Sequence, residues 1–494
     1  MTPANTLKLP LGWLSLGYLA LPLLIFFATW LKPGYALLAL IPVLIAGWHL
    51  VRAWPVEGPA LRPQELWLVG LFSLSLTAFS GIGGLAPQHT DWIKHNAVLY
   101  DCIHLPWPVV ITDGATNWSL VYYLAYYLPA ALVGKVAGYA AAQAALCVWT
   151  ALGVWLTCLW FAQLARLPVV LASLAFFSFG ALTFVANLVV QVLGLSLKHG
   201  PLDFYPNEFW ARIWEFHSHF WMFEWSPGQA LAGWLSAGLF LSCPKPQRLL
   251  GFALLFTVDL FWSPFVSVGL FLLAFFLAWR EGRPWPVKLT VPMLLLALPF
   301  GILAAFYAAK TSPEVAARFP KIPIGWFTQF HDAPALLPSF CLLGLFIVFE
   351  FGILLSLIRA HFPKGATERH LADASGLALL CLLPVTMGTF SDLSMRGSTV
   401  PWFCLALLTA RAVTSAGLSP KLRRVFWLVI LIGVLTPLIQ MAHQGYHLAI
   451  RRYDPRTVPH PGAAIVNMGD GGFNDYGAQY VGSTNSFFAR HLAR

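Results

Sequence analysis

Charge is what this 494-residue sequence has least of: 10% of its residues are Asp, Glu, Lys or Arg, while 58% are hydrophobic. A soluble domain carries roughly 25% charged residues. So greasy a chain cannot cover a water-facing surface and has to be solvated by lipid, which excludes a soluble globular protein. Cysteines are few and scattered. Of the seven, Cys147, Cys158, Cys243, Cys341, Cys381 and Cys404 fall inside apolar runs and only Cys102 sits in a loop. That pattern excludes a disulfide framework and a CxxC metal site. There is no P-loop or Rossmann fingerprint, and no internal repeat or low-complexity tract, which weighs against inverted-repeat transporters. No small-residue cleavage site follows the first apolar run, so a retained helix from Leu11 is expected in place of a cleaved signal. The net charge of +10 reports topology in such a chain, not a nucleic-acid partner.

Long apolar runs, by contrast, are abundant. A spanning helix needs about 20 mostly apolar residues. Candidates are 11–30, 34–51, 65–85, 139–163, 167–192, 226–243, 249–261, 264–280, 287–309, 334–358, 371–389, 400–415 and 424–443. Several are short, and the pair around Trp262-Ser263-Pro264 could be one broken helix. The expectation is an all-α polytopic bundle of 11–13 spans. Lysine and arginine orient it. With the N-terminus inside, the inner connections hold Arg52 and Arg62, Lys245 and Arg248, Arg280, Arg283 and Lys288, Arg359, Lys364 and Arg369, and Lys421, Arg423 and Arg424. The outer face then receives loops 86–138, 193–225 and 310–333, the island 391–399, and a polar tail 446–494 that follows a membrane domain 1–445. Trp118 to Lys135 carries Tyr122, Tyr123, Tyr126 and Tyr127 between Pro129 and Trp118. Aromatics favour the membrane–water interface, so an interfacial helix is expected here; a spanning helix is the alternative and would flip loop 193–225 inside.

Scarce charge makes each polar cluster informative. The densest is Gln88-His89-Thr90-Asp91-Trp92-Ile93-Lys94-His95-Asn96. Asp91 and His95 are four apart and Lys94 is a neighbour, so on a helix they share a face. A carboxylate beside a cation has a depressed pKa, and partial burial raises it toward useful base strength. Mutual pairing and helix capping are the bland alternative. In the second outer segment Glu215, His217 and His219 offer metal-ligand chemistry, with Asp91 as a further ligand for a divalent ion. Their i, i+2 spacing suits a strand or loop, however, and a zinc site wants three or four converging ligands. No cofactor is otherwise indicated. In the island, Asp392 and Arg396 are four apart and could simply pair. An outer-face arginine also suits a lipid phosphate, because its planar donors bind oxyanions bidentately. Lys310, Arg318 and Lys321 are alternative phosphate ligands. Asp259 and Glu350 lie within apolar runs, where a carboxylate is a functional hypothesis by default.

This layout resembles the GT-C superfamily of membrane glycosyltransferases, which includes the protein O-mannosyltransferases and the aminoarabinose transferase of lipid A. The features that carry it are Asp91 soon after a span, the aromatic stretch Leu120-Val121-Tyr122-Tyr123-Leu124, and a span ending in a basic turn at Arg166. The resemblance covers about the first two hundred residues. Two features depart from it: Asp91 is followed by Trp92 where many members have a second acid, and one extra hairpin precedes the loop. It implies an inverting transferase that moves sugar from a polyprenyl-phosphate carrier to a glycan, lipid or protein acceptor at the outer face. A bacterial inner membrane is the expected location. Carried over, Asp91 would be the base, or help to hold a metal, and Lys94 and Arg396 would be the phosphate-side cations; the residues themselves add His95, Asp392 and Lys321 as candidates for the substrate and phosphate side. Two alternatives stay open: a transporter or lipid flippase using Asp259 and Glu350, and a non-catalytic subunit of envelope-polysaccharide assembly.

Overall fold

The computed structural model describes residues 6–54, 57–114, 116–195, 208–211, 213–282, 290–322, 324–330, 336–387, 392–450, 464–467 and 473–494. His199, Arg283, Lys288 and the island residues before Asp392 lie outside the described residues. The structure is 75% helical. It opens with α1 (Leu11–Trp30), α2 (Pro33–Ala53) and α3 (Pro63–Phe79). Pro33 and Pro63 stand at the first helical position, where a missing N–H costs little. The third apolar run is expected to reach residue 85, but α3 stops at Phe79. Gly81, Gly83 and Gly84 adopt positive φ, and a Cβ at Gly81 would lie 2.6 Å from the Pro87 carbonyl oxygen. The resulting turn delivers α4 (Trp92–His104), then strands β1 (Val110–Asp113) and β2 (Thr116–Leu120).

The aromatic stretch is corrected here. Trp118 belongs to β2, a single 3-10 turn covers Leu124–Tyr126, and only α5 (Leu128–Ala137) is an α-helix. Trp118, Tyr122, Tyr126 and Tyr127 are buried in protein and do not lie on an interface. Their polar atoms explain it in part: the Tyr126 hydroxyl bonds Thr150 Oγ1 at 2.7 Å, and Tyr127 meets His95. Next come α6 (Tyr139–Ala165), α7 (Val169–Phe177) and α8 (Thr183–Val192). The run 167–192 is thus two helices, broken around Gly180, where a Cβ would fall 2.8 Å from the Gly433 carbonyl oxygen.

The chain continues through α9 (His219–Trp225), α10 (Pro227–Ser242), α11 (Arg248–Trp262) and α12 (Pro264–Arg280). At Ser263 the backbone is extended. The Ser267 hydroxyl donates back to the Phe256 carbonyl at 3.2 Å, so α11 and α12 form a hairpin. After these come α13 (Val291–Leu295), α14 (Ala297–Ala308), α15 (Pro313–Arg318), β3 (Ile324–Trp326), α16 (Leu336–Phe346) and α17 (Ile353–His361), the last two joined by a π-helical segment, Ile347–Gly352. The remainder is α18 (Thr367–Cys381), β4 (Val385–Met387), α19 (Asp392–Gly397), α20 (Thr399–Thr414), α21 (Pro420–Ile450) and β5 (Val481–Ser483). Six helices among the described residues are long and apolar enough to cross a membrane: Leu11–Trp30, Pro33–Ala53, Tyr139–Ala165, Val291–Arg318, Pro338–His361 and Pro420–Ile450. Contact between helices relies on small residues, as membrane helices require; a Cβ at Gly238 would sit 2.6 Å from Trp160.

The bundle has two chemically different ends. At one, β5 joins the β1–β2 hairpin in register Trp118↔Ser483, and β3 pairs with β4. Arg318 reaches Asp113 at 2.8 Å, Ile465 N–H donates to Asp101 at 2.9 Å, and Arg494 N–H donates to the Trp30 carbonyl at 3.0 Å. The described tail is therefore woven into this end. At the other, Lys8 pairs with Glu57 at 2.9 Å and Arg411 donates to the Leu164 carbonyl at 2.8 Å. The described parts of the five segments expected together on the outer face meet at the first end.

Candidate functional site

Asp91 stands at the N-cap of α4, yet its side chain makes no capping bond. Its Oδ2 instead accepts from Lys94 Nζ at 2.5 Å. The loop that presents it is fixed on three sides. Gln88 donates to the Gly81 carbonyl at 2.9 Å and accepts from Asn96 at 2.9 Å, and Asn96 in turn accepts from Gln143 of α6 at 2.7 Å. His89 and Trp92 both donate to the Glu224 carbonyl, at 2.8 and 3.2 Å, while the His89 ring stacks on Trp225 at 4.0 Å. Gln444 of α21 donates to the Phe79 and Pro87 carbonyls.

Electrostatics follow from this geometry. Burial pushes the Asp91 carboxyl up, but the Lys94 ammonium, His89 and His95 outweigh it and hold it well below the usual carboxylate range. Burial pushes His95 down to about 3 and His89 down to about 4. Both imidazoles are therefore neutral at pH 7. His95 is expected to serve a phosphate, and the structure corrects this: Nε2 faces the Trp225 carbonyl at 3.2 Å and must donate, so Nδ1 accepts from the Tyr127 hydroxyl at 2.5 Å. With both nitrogens engaged and no charge, it positions the loop.

The facing wall comes from α19. Asp392 pairs with Arg396 at 3.2 Å. Burial works against the Arg396 charge, but Asp392, the Tyr123 and Tyr122 phenols and Asp91 more than compensate, raising the guanidinium above its ordinary value. Asp91, Asp392 and Arg396 all act on buried Tyr122, Glu215 and Tyr480, which defines one electrostatic neighbourhood. Lys321 is exposed, between α15 and β3, and no bond ties it to this group. Lys310 takes the place expected for it. β5 and the Gln479 carbonyl, which accepts from Lys310 Nζ at 2.6 Å, hold the ammonium 5.7 Å from the Tyr123 ring centre. Arg396 stands 5.8 Å from the same ring. One tyrosine ring thus faces two basic side chains; burial and the nearby Arg396 bring the Lys310 amine down to about 7, and among the described residues Asp392 is the one carboxylate bonded to either.

The second outer segment supplies the buried back of the site. His217 Nε2 lies 2.8 Å from Glu215 Oε2. Burial raises the acid and lowers the imidazole, so it disfavours charge on both. Burial also lifts Glu208 and Glu224 to about 7; Glu208 accepts from the Ser218 N–H and hydroxyl, and Glu224 from Gln440. His219 points the other way, donating through Nδ1 to the Phe176 carbonyl at 2.8 Å. The expected metal set of Asp91, His217 and His219 therefore does not converge. Among the described residues no group of three His, Cys, Asp or Glu could hold a metal ion, and no chemistry is routed through one.

An apolar cavity of about 340 Å³ opens beside this segment, between α7, the Gly180 break, α20 and α21. Leu171, Leu174 and Trp427 at its mouth are exposed, and Glu350 lies at its inner side. Glu350 Oε1 accepts from Trp210 at 2.7 Å and Thr183 at 3.2 Å, linking the cavity to the Glu208–His219 segment. Asp259 is fully buried and accepts from Ser236 at 2.8 Å; it does not join the Asp91 group. Sequence reasoning missed Tyr480 and Glu208. Neither carries a signal, since one sits in a polar tail and the other in a run of aromatics.

These features define a helical bundle with membrane-spanning character and a charged, aromatic-lined site at one end. The chain matches no family model, no curated protein and no solved structure.

Proposed function

We propose that the protein is a glycosyltransferase that moves a sugar from a polyprenyl-phosphate carrier to an acceptor hydroxyl at the Asp91 end of the bundle. The observation that carries this is the pair of basic side chains, Lys310 and Arg396, on one tyrosine ring in the same electrostatic neighbourhood as the Asp91 carboxylate. In the reaction the acceptor oxygen attacks the anomeric carbon and the bond from that carbon to the phosphate oxygen breaks, inverting the centre. The departing polyprenyl phosphate gains a second negative charge, which Lys310 and Arg396 stabilise. The acceptor proton passes to Asp91. While Lys94 holds it, Asp91 is a weak base; a donor phosphate that draws the ammonium away restores base strength in the same event. The acceptor is a glycan, lipid or protein hydroxyl, and the Asp91 end faces away from the cytoplasm of a bacterial inner membrane.

The test is binding and turnover of a panel of polyprenyl-phosphate sugars by the purified chain, with Asp91→Asn beside it. The variant is expected to bind donor and to lose about 10²–10⁴-fold in turnover, the range for a general base. No binding and no turnover with any carrier lipid sinks the transferase. Transport by way of Asp259 and Glu350 would then come first.

A further inference from the structure

The end of the bundle opposite Asp91 holds an arrangement that the transferase reading leaves unused. Asp373 of α18 is buried, and three arginines from three helices converge on its two oxygens. Arg280, in the last turn of α12, reaches Oδ2 at 2.5 Å. Arg359, in the last turn of α17, reaches Oδ1 at 3.1 Å, and Arg369 of α18 reaches the same oxygen at 3.4 Å. Helix C-termini favour cations, which accounts for Arg280 and Arg359 singly. It does not account for three guanidinium groups on one carboxylate, which leaves two positive charges uncompensated at a half-buried spot.

The neighbouring acids do not supply the missing charge. Glu281 already takes Arg248 at 3.3 Å and Lys245 at 3.9 Å, and Glu368 takes Arg411 at 3.2 Å. Arg369 spends its Nη1 on the Arg359 and Phe362 carbonyls. Arg280 and Arg359 differ: their side chains are 39% and 48% exposed, and their remaining donors have no partner among the described residues. Two planar forks, anchored from behind by Asp373 and open in front, match the oxygens of a phosphate group.

We infer that Arg280, Arg359 and Arg369, held by Asp373, form a phosphate-binding site at the bundle end opposite Asp91. Its ligand is a phosphate monoester, whose two negative charges equal the local excess; the phosphate is either free or borne on a lipid headgroup. Asp373 organises the arginines and does not touch the ligand.

The experiment follows the thermal midpoint of the purified full-length chain in neutral detergent. The additions are inorganic phosphate, phosphatidate in mixed micelles, and phosphatidylcholine or chloride as controls at matched ionic strength. Arg359→Gln is the deciding variant, because Arg359 is half exposed and Asp373 keeps two other partners. Wild type is expected to gain several degrees with phosphatidate or phosphate and none with the controls. Arg359→Gln should keep the ligand-free midpoint and need about tenfold more ligand for the same rise, the scale of one lost charge-assisted contact. Arg280→Gln should repeat the loss. A rise with inorganic phosphate assigns the free ion, and a rise with phosphatidate alone assigns the headgroup. Phosphate also raises midpoints non-specifically by exclusion from protein surfaces, so an equal rise in wild type and both variants overturns the site, as does no rise at all.

Discussion

Lys94 sets how strong a base Asp91 can be. At 2.5 Å the ammonium stabilises the carboxylate, and with the two imidazoles it overcomes burial and holds the pKa below its ordinary value. The linkage sign follows. A depressed carboxylate contributes stability that is present above the unfolded value of about 3.9 and is lost as pH falls through the folded value. Lys94→Gln removes the cation and leaves the burial, so the Asp91 pKa must rise. The acid limb of the kcat/KM profile should move to higher pH, and an unmoved limb would show that Asp91 is not the titrating base. Two lysines separate the phosphate-side assignments in the same way. Lys310→Met should weaken donor binding about 10–100-fold, as expected for one charge-assisted contact of about 1.5–3 kcal/mol. Lys321→Met should leave binding unchanged, because Lys321 is exposed and makes no bond to the site. Equal losses in the two variants would contradict the geometry around Tyr123.

Arg396 is placed less by its own bonds than by the way α19 crosses α12. A Cβ added at Gly269 would fall inside the van der Waals envelope of the Gly397 carbonyl oxygen, the residue next to Arg396. Gly269→Ala should therefore push α19 away, lower donor affinity by about tenfold or more, and cost about 1–3 kcal/mol of stability as overpacking does. A thermal melt beside a donor titration checks both, and a variant with lowered midpoint but intact affinity would free Arg396 from this crossing. Elements of this kind divide into those the sequence announces and those it hides. Helices α1, α2, α6, α10 and α12 fall within a few residues of their apolar runs, because unbroken hydrophobic length and a proline at the first position are local signals. The end of α3 is hidden because its last apolar residues sit in a glycine turn whose positive φ outweighs hydropathy. Trp118 to Lys135 misleads for a related reason. Aromatics look the same at a lipid interface and in a protein core, and only the pairing of β2 with β5, more than 360 residues apart, decides between them.

Across the whole molecule, scarce charge makes the site half legible. Asp91, Asp392 and Arg396 stand out because so few charged residues exist, and the fold brings them into one neighbourhood. Lys310 does not stand out, since its position depends on the C-terminal strand. The same scarcity gives the bundle two distinct ends, and which end faces out is a question of topology. Basic connections gather where Arg411, Arg248 and Lys245 meet their acids, and the topology proposed here, by the positive-inside rule, has that end facing the cytoplasm. Single cysteines test the assignment. Thr112 is exposed in β1 at the Asp91 end, and Gly417 is exposed beside Arg411 at the other. Of the native cysteines only Cys341 and Cys381 are exposed, so the background is the chain with both replaced by alanine. In intact cells a membrane-impermeant maleimide should label Thr112→Cys directly and label Gly417→Cys only after the membrane is opened. The reverse pattern would place the Asp91 site in the cytoplasm. There a lipid-linked donor would have to be used before it crosses the membrane, and soluble activated sugars would become the substrates to try.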